Sequence, residues 1–201
     1  MPYILILYYS RDGSTRALAQ QVARGVQLSG DIEVRLRTVP EISSSDMPSA
    51  GAQEKDRGLL VTLDDLAQCA GLALGSPTRF GQMAAPLRHF FDQTSKLWIE
   101  GKLIDKPACV FTSTSTLHGG QEATLLNMMV PLLHHGMLLM GVPYSEEGLY
   151  DTKAGGTPYG ATHLAKQRDQ TAIDSTEQSI ARAQGERLGR CALQLGVNRV
   201  N

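Results

Sequence analysis

The chain has little of several things that would direct its reading elsewhere. Aromatic residues make up 5% of its 201 positions, and tryptophan occurs once, at Trp98. Cysteine occurs three times, at Cys69, Cys109 and Cys191, with no CxxC spacing. That excludes a disulfide framework or a zinc site, and each cysteine reads as a small apolar residue rather than a redox thiol. No metal is expected. Neither sign of charge dominates: the formal net charge is −1. This argues against a nucleic-acid partner, which shows as a basic stripe, and against a strongly acidic carrier that docks by charge. The apolar run Tyr3–Tyr9 lacks a basic leader and gives way at once to Ser10-Arg11-Asp12. It is read as neither signal peptide nor membrane span, which makes a cytoplasmic, reducing location the default. The dinucleotide fingerprint GxGxxG and the P-loop lysine are also missing.

What is present is an alternation of strand-like and helix-like segments. The length suits one domain, residues 1–201, able to bury about 70% of its unfolded surface. Tyr3–Tyr9 reads as a strand buried on both faces. Ile32, Val34 and Leu36 alternate with Glu33, Arg35 and Arg37, which predicts an edge strand. Leu72–Leu74 ending at Gly75, then Ala108–Phe111, then Met137–Val142 give three more. Helices are expected over 14–28, from a Thr62 cap, over Met83–Phe91, over Glu122–Leu133, and from a capping box Ser175-Thr176-Glu177-Gln178 onward. The segments 40–60 and 148–175 read as long loops. The pattern predicts an α/β fold: a doubly wound, five-stranded parallel sheet of order 2-1-3-4-5 with helices on both faces. Ligands of such a sheet bind beyond the carboxyl ends of its strands, at the switch point.

Three loops follow strands one, three and four. The first, Ser10–Thr15, joins a strand to a helix with hydroxyls at Ser10, Ser14 and Thr15 and a turn at Gly13. It suits a phosphate monoester, though an ordinary N-cap turn would use the same residues. The second, Gly75-Ser76-Pro77-Thr78-Arg79-Phe80-Gly81, has a backbone fixed by glycine and proline. A planar ring can lie against it with Arg79 supplying positive charge; the alternative is a plain strand-to-helix turn. The third, Thr112–Glu122, opens with five hydroxyl residues and carries Gly119-Gly120. It matches a ribityl chain, or is a flexible polar loop.

The segments LYYSRDGST, GSPTRFGQM, FDQTSKLW, HGGQE, LLHHGM and GGTPYGA together resemble the WrbA-type NAD(P)H:quinone oxidoreductases, a flavodoxin-like family. The likeness spans residues 3–197. It implies FMN as cofactor, NADH or NADPH as reductant, and a homotetramer built as a dimer of dimers. It further implies that Ser10, Arg11, Gly13, Ser14 and Thr15 hold the phosphate, and that Pro77, Thr78, Arg79, Phe80 and Gly81 hold the isoalloxazine. Ser113, Thr114, Ser115, Thr116 and Gly119 correspond to the third loop, and His134 to a flavin-side histidine. Trp98, supplied across a subunit interface, and Tyr144 correspond to the substrate pocket. Asp12 stands where many members carry an aromatic residue that helps hold the nicotinamide nucleotide, and Ser14 stands where histidine is usual. Loop three is one residue longer, with Leu117-His118 replacing small glycines.

The expected reaction is two-electron, ping-pong reduction of quinones to hydroquinones by NAD(P)H, with Arg79 and His134 as catalytic residues. Arg79 would stabilise negative charge on the reduced ring. His134 would hydrogen-bond a quinone oxygen or relay a proton. His134 and His135 also stand where a helix ends, and one of them could serve the exposed carbonyls instead. Two other functions fit the same residues: a flavodoxin-like one-electron carrier, and a non-enzymatic FMN-binding regulatory protein.

Overall fold

A computed structural model describes residues 1–42, 58–165 and 172–197. The elements run β1 (Tyr3–Tyr8), α1 (Ser14–Gln27), β2 (Glu33–Thr38), α2 (Leu63–Gln68), β3 (Gly71–Pro77), α3 (Ala85–Asp92) and α4 (Ser95–Ile99). Then follow β4 (Pro107–Thr114), α5 (Gln121–His134), β5 (Leu138–Leu139), α6 (Gly148–Asp151), β6 (Ala161–Leu164) and α7 (Ser175–Val197). The strands form a parallel sheet of order β2-β1-β3-β4-β5, with β6 also paired to β4. The predicted order holds, and β2 is an edge strand.

The central strand explains why the chain folds this way. Every residue of β1 is buried, and successive side chains point to opposite faces of a strand. Tyr3, Leu5 and Leu7 join a core with Leu66 of α2, Leu87 of α3, Leu97 of α4 and Leu125 of α5. Ile4, Ile6 and Tyr8 join a second core with Leu18 and Val22 of α1 and Ile180 and Leu188 of α7. A run without alternation thus places helices on both faces.

The structure corrects several expectations. The sheet has six strands, because its far edge is divided. The fifth strand covers only Leu138–Leu139, opposite Pro107 and Ala108 at the start of β4, whereas β6 pairs with Phe111–Thr114 at its end. The expected loop 148–175 therefore contains α6 and a buried strand. Residues 166–171 of that segment, and 43–57 of the segment 40–60, lie outside the described residues. Thr112, Ser113 and Thr114 belong to β4 and are buried, so loop three begins at Ser115. The helix expected over Met83–Phe91 starts at Ala85. The Thr62 cap forms with Asp65 as its reciprocal partner. The cap of α7 lies one residue earlier than expected: Asp174 Oδ1 accepts from the Glu177 N–H at 2.8 Å.

Candidate functional site

The carboxyl ends of β1, β3 and β4 converge on a cleft of about 270 Å³. It is lined by Ser10, Arg11, Asp12, Ser14, Thr15, Pro77, Thr78, Arg79, Ser113, Thr114, Ser115 and Ala165. The first floor of this cleft is the start of α1. Gly13 occupies its N-cap with φ 90° and offers no side chain to the helix. Positive φ at this point costs any residue with a Cβ, which explains a glycine among hydroxyl residues. Ser10 turns back and accepts from the Arg16 N–H at 3.2 Å, so it performs the capping that the plain-turn reading assigned to the loop. Ser14 and Thr15 lie on the cleft side. The positive end of the helix dipole faces the same space.

Neighbouring strands hold these hydroxyls in place. Thr15 Oγ1 and Ser113 Oγ are 2.9 Å apart, joining loop one to the end of β4. Thr112 Oγ1 donates to the Ser76 carbonyl at 2.7 Å, and the Thr78 N–H donates to the Ser113 carbonyl at 3.0 Å. Thr112 and Thr114 are thus structural hydroxyls, whereas Ser115 and Thr116 are exposed.

Loop two is a tight hairpin. Arg79 N–H donates to the Gln82 carbonyl at 2.9 Å, and Gln82 N–H donates back to Arg79 at 3.0 Å. Between them Phe80 and Gly81 both have positive φ, 54° and 77°, as a two-residue type I′ turn requires. Phe80 is 103% exposed. A phenylalanine in the left-handed region with nothing buried in return is strain held at a candidate site. Arg79 Nη1 donates to the Thr78 carbonyl at 2.8 Å, which leans the guanidinium along the cleft wall.

Sequence reasoning missed the face of α5 that braces loop two. Thr124 Oγ1 bonds Thr78 Oγ1 at 2.8 Å, and Asn127 Nδ2 donates to the Gly81 carbonyl at 3.0 Å. The signal was available: Gln121, Thr124 and Asn127 recur every three residues in a largely apolar helix and so share a face.

Close by, Tyr9 is buried, and its hydroxyl donates to the Glu41 carboxylate at 3.1 Å. Burial, followed by that carboxylate, holds the Tyr9 phenol above its ordinary pKa. The cysteines take no part. Burial pushes the thiols of Cys69 and Cys109 up to about 11 and about 12. Among the described residues no group of three His, Cys, Asp or Glu side chains could hold a metal ion, and no helix is long and apolar enough to cross a membrane.

Of the predicted site residues, Ser10 through Thr15, Pro77 through Gly81 and Ser113 through Gly119 come together on these three loops. His134, Trp98 and Tyr144 do not join them. Helix α5 has 14 residues, about 20 Å at 1.5 Å per residue. It starts above the carboxyl end of β4 and ends beside the start of that strand, so His134 lies at the opposite edge of the sheet. There Trp98 Nε1 donates to the His134 carbonyl at 2.9 Å. Both line a second cavity of about 400 Å³ with Phe91, Thr94, Pro131 and His135. His135, for which no role was expected, is buried and bonds Thr94 Oγ1 at 2.9 Å. Burial, then the neighbouring His134 charge, lowers its pKa. Tyr144 is exposed and packs against Tyr150, ring centroids 5.4 Å apart.

The chemistry of the cleft is that of an anion and polyol site: hydroxyls, a helix N-terminus and two guanidiniums against one carboxylate, with a flat hairpin beside them. Residues 2–146 match the family described as NADPH-dependent FMN reductase. The chain is 40% identical to an NAD(P)H dehydrogenase (quinone) of Trichlorobacter lovleyi, over 97% of this chain and 99% of that protein. It is 42% identical to one of Chromohalobacter salexigens, again over 97% and 99%. Its fold superimposes on a WrbA-like flavodoxin of Agrobacterium tumefaciens with TM-score 0.69 at 21% identity, covering 96% of this chain and 99% of that one.

Proposed function

The chain belongs to the family of NADPH-dependent FMN reductases, and on that footing we infer that it is an FMN-dependent oxidoreductase passing two electrons from NAD(P)H to quinones. The curated relatives named NAD(P)H dehydrogenase (quinone) support this activity. The observation that carries the site assignment is the convergence of the three loops on one hydroxyl-lined cleft at the head of α1. The donor set fits FMN. Ser14, Thr15 and the α1 N-terminus, with Arg11, suit a phosphate dianion. Ser113 and Ser115 suit the ribityl hydroxyls, and the Arg79–Gln82 hairpin suits the ring.

When bound there, FMN supplies the two-electron redox chemistry. The residues supply position and field. Arg79 lines the cleft and would bring a permanent positive charge to a flavin held there, which would ease its taking up of electrons. Phe80 projects its side chain outward, where a nicotinamide and then a quinone can stack against it in turn. One stacking place for both molecules gives ping-pong kinetics. The buried hydroxyls of Thr112 and Thr114 are already hydrogen-bonded within the protein and keep the cleft floor rigid without competing for the ligand.

His134 and Trp98 serve the site across a subunit boundary. Neither reaches the loop cleft of its own chain, and both stand on a surface that carries exposed Ile99, Leu126, Val130 and Leu133. A contiguous apolar surface of this kind marks a protein interface. A homotetramer, assembled as a dimer of dimers, seats this surface against the loops of a neighbouring copy. There His134 meets the quinone oxygen and Trp98 walls the pocket, with Tyr144 at its rim.

Comparison of FMN with riboflavin tests the assignment of loop one. Several charge-assisted hydrogen bonds, each worth about 1.5–3 kcal/mol, go to the phosphate. The flavin-free protein should therefore bind FMN at least ~100-fold more tightly than riboflavin. Equal affinities would remove the phosphate from the Ser10–Thr15 loop.

A further inference from the structure

The GGTPYGA segment has no place in the cleft, yet it is tied to loop three by a chain of buried hydrogen bonds. Residues 155–160 form a turn closed by Thr157 and Gly160. This turn packs backbone to backbone: a Cβ on Gly155 would stand 2.1 Å from the Thr162 carbonyl oxygen, and one on Gly160 would stand 2.1 Å from that of Val110. Glu177 of α7 fastens it, accepting from the N–H groups of Gly155 and Leu164 at 2.8 and 2.9 Å and from His163 Nδ1 at 2.6 Å. Gly156 N–H then donates to Thr162 Oγ1 at 2.6 Å. The Thr162 hydroxyl donates onward to Gln121 Oε1, and Gln121 Nε2 donates to the Leu117 carbonyl at 3.2 Å. Thr162 and Gln121 are buried, at 0% and 3% exposure.

This relay has a direction. An Nε2–H of Gln121 must point at Leu117, because its oxygen is taken by Thr162. Leu117 stands mid-way along the exposed stretch 115–118, and no other side-chain hydrogen bond reaches that carbonyl among the described residues. We propose that Thr162 and Gln121 are positioning residues for the flavin, through which the turn at 155–160 fixes the height of loop three over the cleft. Gln121 sits on the same face of α5 as Thr124 and Asn127, so the loop-three brace and the loop-two brace are set by one rigid helix. The inference rests on the reading of loop three as a flavin loop.

Two substitutions break the links. Gln121→Met keeps the length of the side chain and loses both the acceptor for Thr162 and the donor to Leu117. Thr162→Val keeps the shape and loses both hydroxyl bonds, whereas Thr162→Ser restores them. The readouts are FMN affinity by flavin fluorescence quenching, the visible circular dichroism of the bound flavin, and the melting temperature of the flavin-free protein. Losing these buried hydrogen bonds should lower FMN affinity at least about tenfold in Gln121→Met and Thr162→Val, with a changed flavin dichroism, and Thr162→Ser should recover both. Leu188→Ala, a core truncation in α7 outside the loops, should lower the melting temperature while leaving the flavin dichroism unchanged. Wild-type affinity and dichroism in Gln121→Met would overturn the proposal, as would a dichroism change in Leu188→Ala equal to that in Thr162→Val. Failure of the wild-type protein to bind FMN would instead overturn the reading of the site itself.

Discussion

Replacing Phe80 with asparagine should make the flavin-free protein more stable and the enzyme worse. Phe80 holds φ 54° at the first central position of the Arg79–Gln82 turn. The left-handed conformation costs an ordinary residue about 1–2 kcal/mol. Burial offers nothing against that cost, since the ring is fully exposed. Asparagine tolerates this region and is the favoured residue before glycine in such a turn. Phe80→Asn should therefore gain about 1 kcal/mol, which for a chain of this size is about 2–4 °C in melting temperature. Phe80→Gly releases the same strain but adds about 0.5–1 kcal/mol of unfolded-state entropy, so its gain should be smaller. Phe80→Val, β-branched, should lose stability. Thermal unfolding of the flavin-free protein by circular dichroism orders the variants as Asn, Gly, wild type, Val. In the same series the quinone KM should rise, because the exposed ring is the stacking partner. A Phe80→Asn protein that melts below wild type would refute the strain argument. A stabilised variant with an unchanged KM would refute the role given to the ring.

Other perturbations bear on the remaining parts. Arg79→Ala should weaken FMN binding and lower kcat/KM by about ten- to a hundredfold, the worth of a charge-assisted hydrogen bond; unchanged flavin affinity and turnover would remove Arg79 from the site. Val130→Glu or Leu133→Glu, on the outer face of α5, should break the assembly into smaller species in sedimentation velocity and lower turnover. A wild-type protein that sediments as a monomer would contradict the shared site. Stability should fall in two acid steps. His135 has a depressed pKa, so its contribution is full above the ordinary histidine value of about 6.5 and is lost as pH falls below it. For Glu177 burial alone would raise the carboxyl, yet the hydrogen bonds from His163, Leu164 and Gly155 hold it below the ordinary value of about 4.3. Its contribution is present above that value and is lost as pH falls through the lowered one. Urea titrations of Glu177→Gln should show a flatter decline below about pH 4.5; a wild-type slope there would contradict the assignment.

What could be read from the sequence follows a physical division. The buried run Tyr3–Tyr8 and the loop after it were readable because local pattern decides them: both faces of β1 are covered, and Gly13 and Ser10 act within a few residues. The Thr62 cap was readable for the same reason. The short strand β6 was not. Ala161-Thr162-His163-Leu164 has two polar residues in four, and their burial depends on partners distant in the chain: Gln121 takes the Thr162 hydroxyl and Glu177 takes His163 Nδ1. Pairing with β6 on one side, and with β3 at Thr112 and Ser113 on the other, draws Thr112–Thr114 out of the expected loop. Asp174 displaced Ser175 as the cap of α7: its carboxylate accepts from the Glu177 N–H, and the Gln178 side chain that would complete a box with Ser175 is held by the Ile173 carbonyl and Arg182 instead. The position of His134 was open to inference: a helix of 14 residues returning from the carboxyl end of a strand must finish at its amino end.

Steady-state kinetics of the FMN-loaded protein test the central claim most directly. Benzoquinone is varied at several fixed concentrations of NADH, and then of NADPH. A single stacking place used in turn by reductant and quinone requires parallel double-reciprocal lines with at least one nucleotide. Lines that intersect would show both substrates bound together and would contradict the shared place beside Phe80 and Arg79.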